Sequence, residues 1–277
     1  MYEAFYGLTA RPFRETLDPD DWMPTPSREA VLRRLRYGLE QADGPALLFG
    51  PNGAGKSFLA RVLARDLGWR EAILAFPALP PLDLLAMAAD ELDRANGIVN
   101  ADATPPGEPP HQTVRRIQRA FAAAGARGRR LLLIVDEAHL IADPDAFETL
   151  RLLLNFHSEG TPTAALLLVG GPEVWLRMPR SMSDRLAAHA LAGPLSDDEA
   201  SRYVEGRLRR SGADRPLFHA DAVALLHQAA DGLPRRLNRL ADLSLLIASD
   251  QRLPRVDRDC AQEAIEESAE VGPRSRD

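Results

Sequence analysis

An apolar run, Ala46-Leu47-Leu48-Phe49, passes directly into Gly50-Pro51-Asn52-Gly53-Ala54-Gly55-Lys56-Ser57, then into the helix-forming Phe58-Leu59-Ala60-Arg61-Val62-Leu63-Ala64. A buried strand, a glycine-rich loop and a helix starting at the loop's end fit G-x-x-x-x-G-K-[ST]. In that pattern backbone N–H groups and the helix N-terminus wrap a chain of phosphates. Of 34 basic residues, Lys56 is the single lysine and the other 33 (34 − 1) are arginine. A compact ammonium on a flexible stem reaches between β- and γ-phosphates where a planar guanidinium fits badly. The expected ATP-contacting residues are Gly50, Pro51, Asn52, Gly53, Ala54, Gly55, Lys56, Ser57 and Phe58, with the Ser57 hydroxyl on Mg²⁺. A glycine-rich surface turn would leave both flanks unexplained.

Residues 1–44 form an N-terminal extension and helix. They open with aromatic-rich Met1-Tyr2-Glu3-Ala4-Phe5-Tyr6-Gly7-Leu8 and a Pro/Asp stretch through Pro26. A helix is expected from Ser27, as N-cap, to about Gln41, with Val31, Leu32, Leu35 and Leu39 on one face. After strand 46–49 and helix 56–67, the patterns give strand 71–76, helices 82–95 and 111–124, and strand 131–135. Helix 144–156, strand 164–169 and an apolar segment near 188–192 follow. Continuously apolar strands alternating with helices mean a three-layer α/β domain over 45–193, its parallel sheet covered on both faces. Residues 96–110, with four prolines and two glycines, read as a mobile surface loop. From Pro194 only helical patterns remain, about 196–211, 219–230, 234–249 and 257–269, giving a small all-helical domain over 194–271. Residues 272–277 read as a frayed tail.

A net charge of −6 argues against a surface that clings to nucleic acid throughout, though not against a local basic patch. Cys260 is alone, so no intramolecular disulfide forms, in keeping with a reducing cytosol. No run approaches the 18 apolar residues of a membrane span, and no secretory signal opens the sequence. A cytoplasmic location is expected, with any membrane role peripheral and through a partner.

Leu131 to Glu137 reads as a strand ending in two carboxylates. Beside a phosphate loop, Asp136 is placed to complete the Mg²⁺ shell and Glu137 to deprotonate the attacking water. The tetrad Asp136-Glu137-Ala138-His139 also spells a helicase signature, but no second recombinase-like domain accompanies it. In Gly232-Leu233-Pro234-Arg235, Pro234 suits a first helical turn and Arg235 projects from it. Arg235 either reaches the γ-phosphate or belongs to a solvated basic face with Arg236 and Arg239. Arg185, ahead of the last strand, is either an arginine finger for a neighbouring subunit or a surface residue paired with Asp184.

Taken together these segments resemble the AAA+ ATPases, and within them the ExeA/GspA group of the general secretion pathway; TniB-type transposition helpers share the core. The resemblance spans nearly the whole chain, from Met1-Tyr2…Phe5-Tyr6-Gly7-Leu8 and Arg36-Tyr37-Gly38-Leu39-Glu40 through the loop and Asp136-Glu137-Ala138. It continues through Leu168-Val169-Gly170-Gly171-Pro172-Glu173, Gly193-Pro194-Leu195 and Gly232…Pro234-Arg235…Asn238. It implies an ATP-driven, Mg²⁺-dependent ATPase with a helical lid, working as a homo-oligomer, with Arg235 as sensor 2 and Arg185 as the arginine finger. Arg177 and Arg180 are next in line for the finger.

Two positions depart from the family pattern. Gly171 stands where a glutamine commonly helps place the attacking water, so that role is missing or falls to a neighbour such as Glu173. His139 replaces the glutamine of Asp-Glu-Ala-Gln. Without a side chain at 171, basal turnover is expected to be slow. Longer secretion members continue into a membrane span and a peptidoglycan-binding region, and those functions are not carried over. Two function classes follow: an energy-coupling enzyme that remodels or assembles a protein complex, or an ATP-gated DNA-binding helper of recombination. Acidic net charge weighs against the second, while Arg28/Arg33/Arg34/Arg36 and Arg202/Arg207/Arg209/Arg210 keep it open. Signalling-switch ATPases of the STAND kind are disfavoured, because Arg235 stands where theirs carry an apolar residue.

Overall fold

The fold is organised by a sheet whose three inner strands are apolar and have no polar face to offer water. The computed structural model describes residues 2–41, 44–98, 105, 107–158 and 161–270. Part of the expected mobile loop (99–104 and 106) and the expected tail 272–277 lie outside the described residues.

The chain opens with helices α1 (Tyr2–Tyr6) and α2 (Pro26–Gln41), then β1 (Ala46–Phe49), α3 (Lys56–Leu67) and β2 (Arg70–Leu74). Next come α4 (Pro81–Ala95), α5 (Pro110–Ala126), β3 (Leu131–Val135), α6 (Pro144–Leu152) and the short pair β4 (His157–Ser158) and β5 (Thr161–Pro162). Strand β6 (Ala164–Gly170), the one-turn helices α7 (Val174–Arg177) and α8 (Arg180–Ser183), and β7 (Ala188–Leu191) follow. Helices α9 (Asp197–Arg210), α10 (Ala220–Ala229), α11 (Pro234–Asp250) and α12 (Arg258–Glu270) close the described chain.

All neighbours in the five-stranded sheet run parallel, in the order β2-β3-β6-β1-β7. One face, including Leu47, Leu133, Val135, Leu166 and Leu168, packs with α4, α5 and α6 around Phe121 and Phe147. The alternate residues Leu48, Leu132, Ile134, Leu167 and Val169 are equally buried, as are Leu59, Val62 and Leu63 of α3. Both faces are therefore covered there, which is why β1, β3 and β6 read as unbroken apolar runs, while the edge strands β2 and β7 do not. Each such side chain contributes roughly 1.5–3 kcal/mol by leaving water.

By their contacts the described residues form two units. The sheet unit holds Ala30–Asn52 and Lys56–Ala192; the helical unit holds the chain up to Glu29, Gly53–Gly55, and everything from Gly193 onward. The 1–44 segment is thus divided, between Glu29 and Ala30. Tyr2, Tyr6, Leu8 and Phe13 sink into the helical core beside Leu226, Leu237 and Leu245.

Polar clasps fix that attachment. Tyr2 donates to Asp242 at 2.6 Å, and Arg207 donates to the carbonyls of Pro12 and Arg14 at 2.7 and 2.8 Å. Glu199 completes a capping box with Ser196 at the start of α9 and also accepts the Ser27 N–H at 2.7 Å. Burial pushes the Glu199 carboxyl up, but these N–H donors outweigh it and hold it below the usual carboxylate range.

Helix α2 starts at Pro26, so Ser27 lies inside it and is not its N-cap; proline's fixed φ suits a first turn. Strand β2 stops at Leu74, short of the expected residue 76. Helix α6 ends at Leu152, where the chain tightens into a 3₁₀ turn over Leu153–Asn155.

Candidate active site

Strand β1 is where the strand order reverses. The chain leaves it toward β2 at one edge, returns through β3 and β6, then crosses to place β7 on its other side. In open parallel sheets the crevice at the carboxyl end of such a strand is the natural ligand position. Gly50 stands there, its N–H donating to the Gly170 carbonyl at 3.2 Å. A Cβ at Gly50 would fall 2.3 Å from the Ala192 carbonyl oxygen, which only glycine avoids. Gly53 and Gly55 follow at φ +83° and +84°, in the left-handed region that other residues adopt at a cost.

These turns deliver Lys56 to the first position of α3. Its side chain is 6% exposed, and Nζ donates to the carbonyls of Gly50 and Pro51 at 3.0 Å each. Ser57 and Phe58 follow in the first turn, both half-buried. The start of a 12-residue helix adds its partial positive charge to the ammonium. Open turns, a helix start and a cation over loop carbonyls fit a chain of phosphates.

Val135 is level with Leu168, and Leu168 with Leu47. Asp136 and Glu137 therefore leave the sheet at the same edge as Gly50, two strand spacings or roughly 10 Å across. Asp136 donates its N–H to the Leu74 carbonyl at 3.0 Å, and its Oδ1 accepts the Glu137 N–H at 2.9 Å. Among the described residues no group of three or more His, Cys, Asp or Glu is arranged to hold a metal. Ser57 and Asp136 would hold Mg²⁺ together with phosphate oxygens, as that ion usually requires. A bound Mg²⁺ there would neutralise charge building on the phosphates.

Glu137 adopts φ 53° and ψ 36°, a left-handed conformation costing on the order of 1 kcal/mol for a residue with a side chain. Its Oε2 lies 3.4 Å from Nδ1 of His139, and the same Nδ1 accepts the N–H of Gly171 at 3.1 Å. A Cβ at Gly171 would meet Glu173 Oε2 at 2.2 Å, so the Glu173 carboxylate occupies that space. In the sequence His139 was legible as the end of a helicase-like tetrad and as a departure from a pattern, not as a neighbour of Gly171. The structure brings it, Glu137 and Gly171 together.

Arg235 lies in the first turn of α11. Its N–H donates to the Gly53 carbonyl at 3.2 Å, and Nε is 3.6 Å from Glu15 Oε1, both side chains being exposed. Arg236 pairs with Asp231. Nothing in the sequence marked Glu15. Arg185 sits in the turn between α8 and β7, exposed, and among the described residues no ion pair joins it to Asp184. The Glu148 carboxyl is held low mainly by its hydrogen bond to Arg151, with the charge of Arg185 adding to the effect.

A sequence profile described as AAA domain matches residues 39–178, which takes in the loop, Asp136, Glu137 and His139 but neither Arg185 nor Arg235. The chain belongs to that family, the AAA+ ATPases. It is 32% identical over 259 residues to general secretion pathway protein A of Aeromonas hydrophila, covering 90% of this chain and 45% of that protein. The chain thus spans less than half of that relative's length.

Solved structures share the fold. The Aeropyrum pernix ORC2 protein, in ADPNP and ADP complexes, aligns with a TM-score of 0.71 at 16% identity, over 96% of this chain and 73% of that one. The Aeropyrum pernix ORC1 protein in complex with DNA gives 0.64 at 23%, over 91% and 68%. The Thermotoga maritima RuvB Holliday junction branch migration motor gives 0.58 at 16%, over 93% and 73%. At such identities the likeness speaks for the fold alone. Among the described residues, no helix is long and apolar enough to cross a membrane.

Proposed function

We propose that this chain binds ATP with Mg²⁺, hydrolyses it slowly, and couples the nucleotide state to assembly or remodelling of a protein complex. The observation that carries the reading is the buried Lys56 ammonium, held over the Gly50 and Pro51 carbonyls at the switch point of a parallel sheet. Lys56 and the loop N–H groups hold the phosphates, Ser57 and Asp136 the metal, and Glu137 takes the proton of the attacking water. Arg235, tied through its backbone to Gly53, senses the γ-phosphate, and Arg185 completes the site of a second copy. Similarity to a general secretion pathway protein favours a protein client on the cytoplasmic side of an envelope.

An acyl-phosphate ATP probe acylates lysines beside bound nucleotide, so it should label one side chain here, and excess ATP should block it. Labelling that ATP leaves unchanged would remove Lys56 from the phosphate site. Glu137→Gln should keep ATP binding and lower single-turnover hydrolysis by about 10³-fold. A mutant as fast as the parent would end the role of Glu137. Hydrolysis that rises only with added duplex DNA would move the client from protein to nucleic acid.

A further inference from the structure

We propose that His139 is the positioning residue for Glu137, its imidazole anchored beside the end of β6 by the Gly171 N–H. The inference rests on the hydrolytic reading above and deepens it. Three groups meet at one nitrogen. Nδ1 of His139 accepts the Gly171 N–H at 3.1 Å, which leaves it bare of hydrogen and puts the ring proton on Nε2. Glu137 Oε2 stands 3.4 Å from the same Nδ1. A nitrogen whose lone pair is already engaged cannot donate to that carboxylate, so Glu137 is kept as a free acceptor with one edge closed off by the ring.

The backbone makes this arrangement tight. Glu137 is held left-handed at φ 53°, and the next residues, Ala138–Leu140, form a single 3₁₀ turn that swings His139 back toward the end of β6. Gly170 and Gly171 leave room for the ring: a Cβ at Gly170 would already press at 3.2 and 3.3 Å on the His139 backbone nitrogen and Nδ1. At Gly171 a Cβ would sit 3.7 Å from His139 Cγ, with the Glu173 carboxylate filling the rest of the space. Residues 139 and 171 are thus joined by a hydrogen bond.

Small displacements of a base cost much in rate, about 10²-fold for roughly 1 Å. His139→Ala should therefore slow single-turnover hydrolysis about 10²-fold while ATP affinity stays within about twofold. His139→Asn, whose Oδ1 falls where Nδ1 was, should return most of that rate. A purely structural role predicts otherwise: affinity and rate would fall together and Asn would rescue neither, which would overturn the proposal. A second readout does not depend on turnover. Imidazole ¹⁵N shifts of the ATP-free parent should show Nδ1 as the bare nitrogen and Nε2 protonated. A proton on Nδ1 would overturn the proposal even in an active enzyme. A parent that binds ATP and never hydrolyses it would instead reject the hydrolytic reading, while the nitrogen shifts would still decide the geometry of His139.

Discussion

The two units fix their candidate residues by different physics. In the sheet unit the geometry is local and made by the backbone: a glycine at Gly50 where a Cβ would collide with a carbonyl, a left-handed Glu137, and carbonyls that hold Lys56. In the helical unit Arg235 is exposed, and its position follows from a core of Leu226, Leu237 and Leu245, tied by buried Arg28, Glu199 and Arg207. Substitutions at the sheet unit's site should therefore change chemistry before stability. In the helical unit the order should reverse.

The sharpest break would come from Arg185, an exposed sheet-unit residue whose proposed work lies in another copy. Removing an arginine finger costs on the order of 10³-fold in rate. Arg185→Ala should lose that much hydrolysis without a change in melting temperature. Mixing it with Lys56→Ala protein should restore part of the activity, each supplying what the other lacks. If Arg185→Ala hydrolyses normally in assembled protein, Arg177 or Arg180 becomes the candidate.

The helical unit offers the opposite case. Leu245 is fully buried, and Leu245→Ala should lower unfolding stability by about 3 kcal/mol, read by denaturant titration. ATP-blockable labelling of Lys56 should survive under native conditions. Labelling lost in the folded protein would show that the loop depends on the helical core more than its own backbone suggests.

The difference between the units also explains what was legible in the sequence. The glycine-rich loop proposed to hold phosphates could be read residue by residue because its glycines, lysine and serine fall within eight positions of one another. The apolar strands were legible because burial on both faces leaves no alternation. The bond between His139 and Gly171 was not, since it joins residues 32 apart that meet only through the pairing of β3 with β6. The aromatic opening of the chain was visible, but not its destination: Tyr2 and Tyr6 find partners about 240 residues away, at Asp242 and Leu253. Glu199 was passed over because an acidic helix start is ordinary, and only the fold adds the Ser27 N–H to it.

Glu199 gives a smaller, pH-dependent effect. Its carboxyl titrates lower in the folded chain than in the unfolded one, so its contribution is present above the unfolded value of about 4.3. It is lost as pH falls through the folded value. Glu199→Gln should cost about 2 kcal/mol near neutral pH. The gap between mutant and parent should close in acid. A gap that stays constant from pH 7 to pH 3 would mean the carboxylate's charge contributes nothing and only packing is lost.

The smallest expected effect is at Gly171, and it tests how complete the substitution by His139 is. A wholly absent positioning contact typically costs 10²–10³ in rate, so restoring it would return as much. With the imidazole already bonded to the Gly171 N–H, Gly171→Gln should raise single-turnover hydrolysis only several-fold and leave ATP affinity nearly unchanged. The new Cβ would displace Glu173 Oε2, the far end of a flexible and exposed side chain, so the fold should tolerate it. In a His139→Ala background the same substitution should give a much larger gain, because the gap is then open. Measured at matched oligomeric state, equal gains in both backgrounds would mean that the two positions act independently. A gain of 10² or more in the parent would mean that the site at 171 is functionally empty, and that His139 holds the strand end without placing the base.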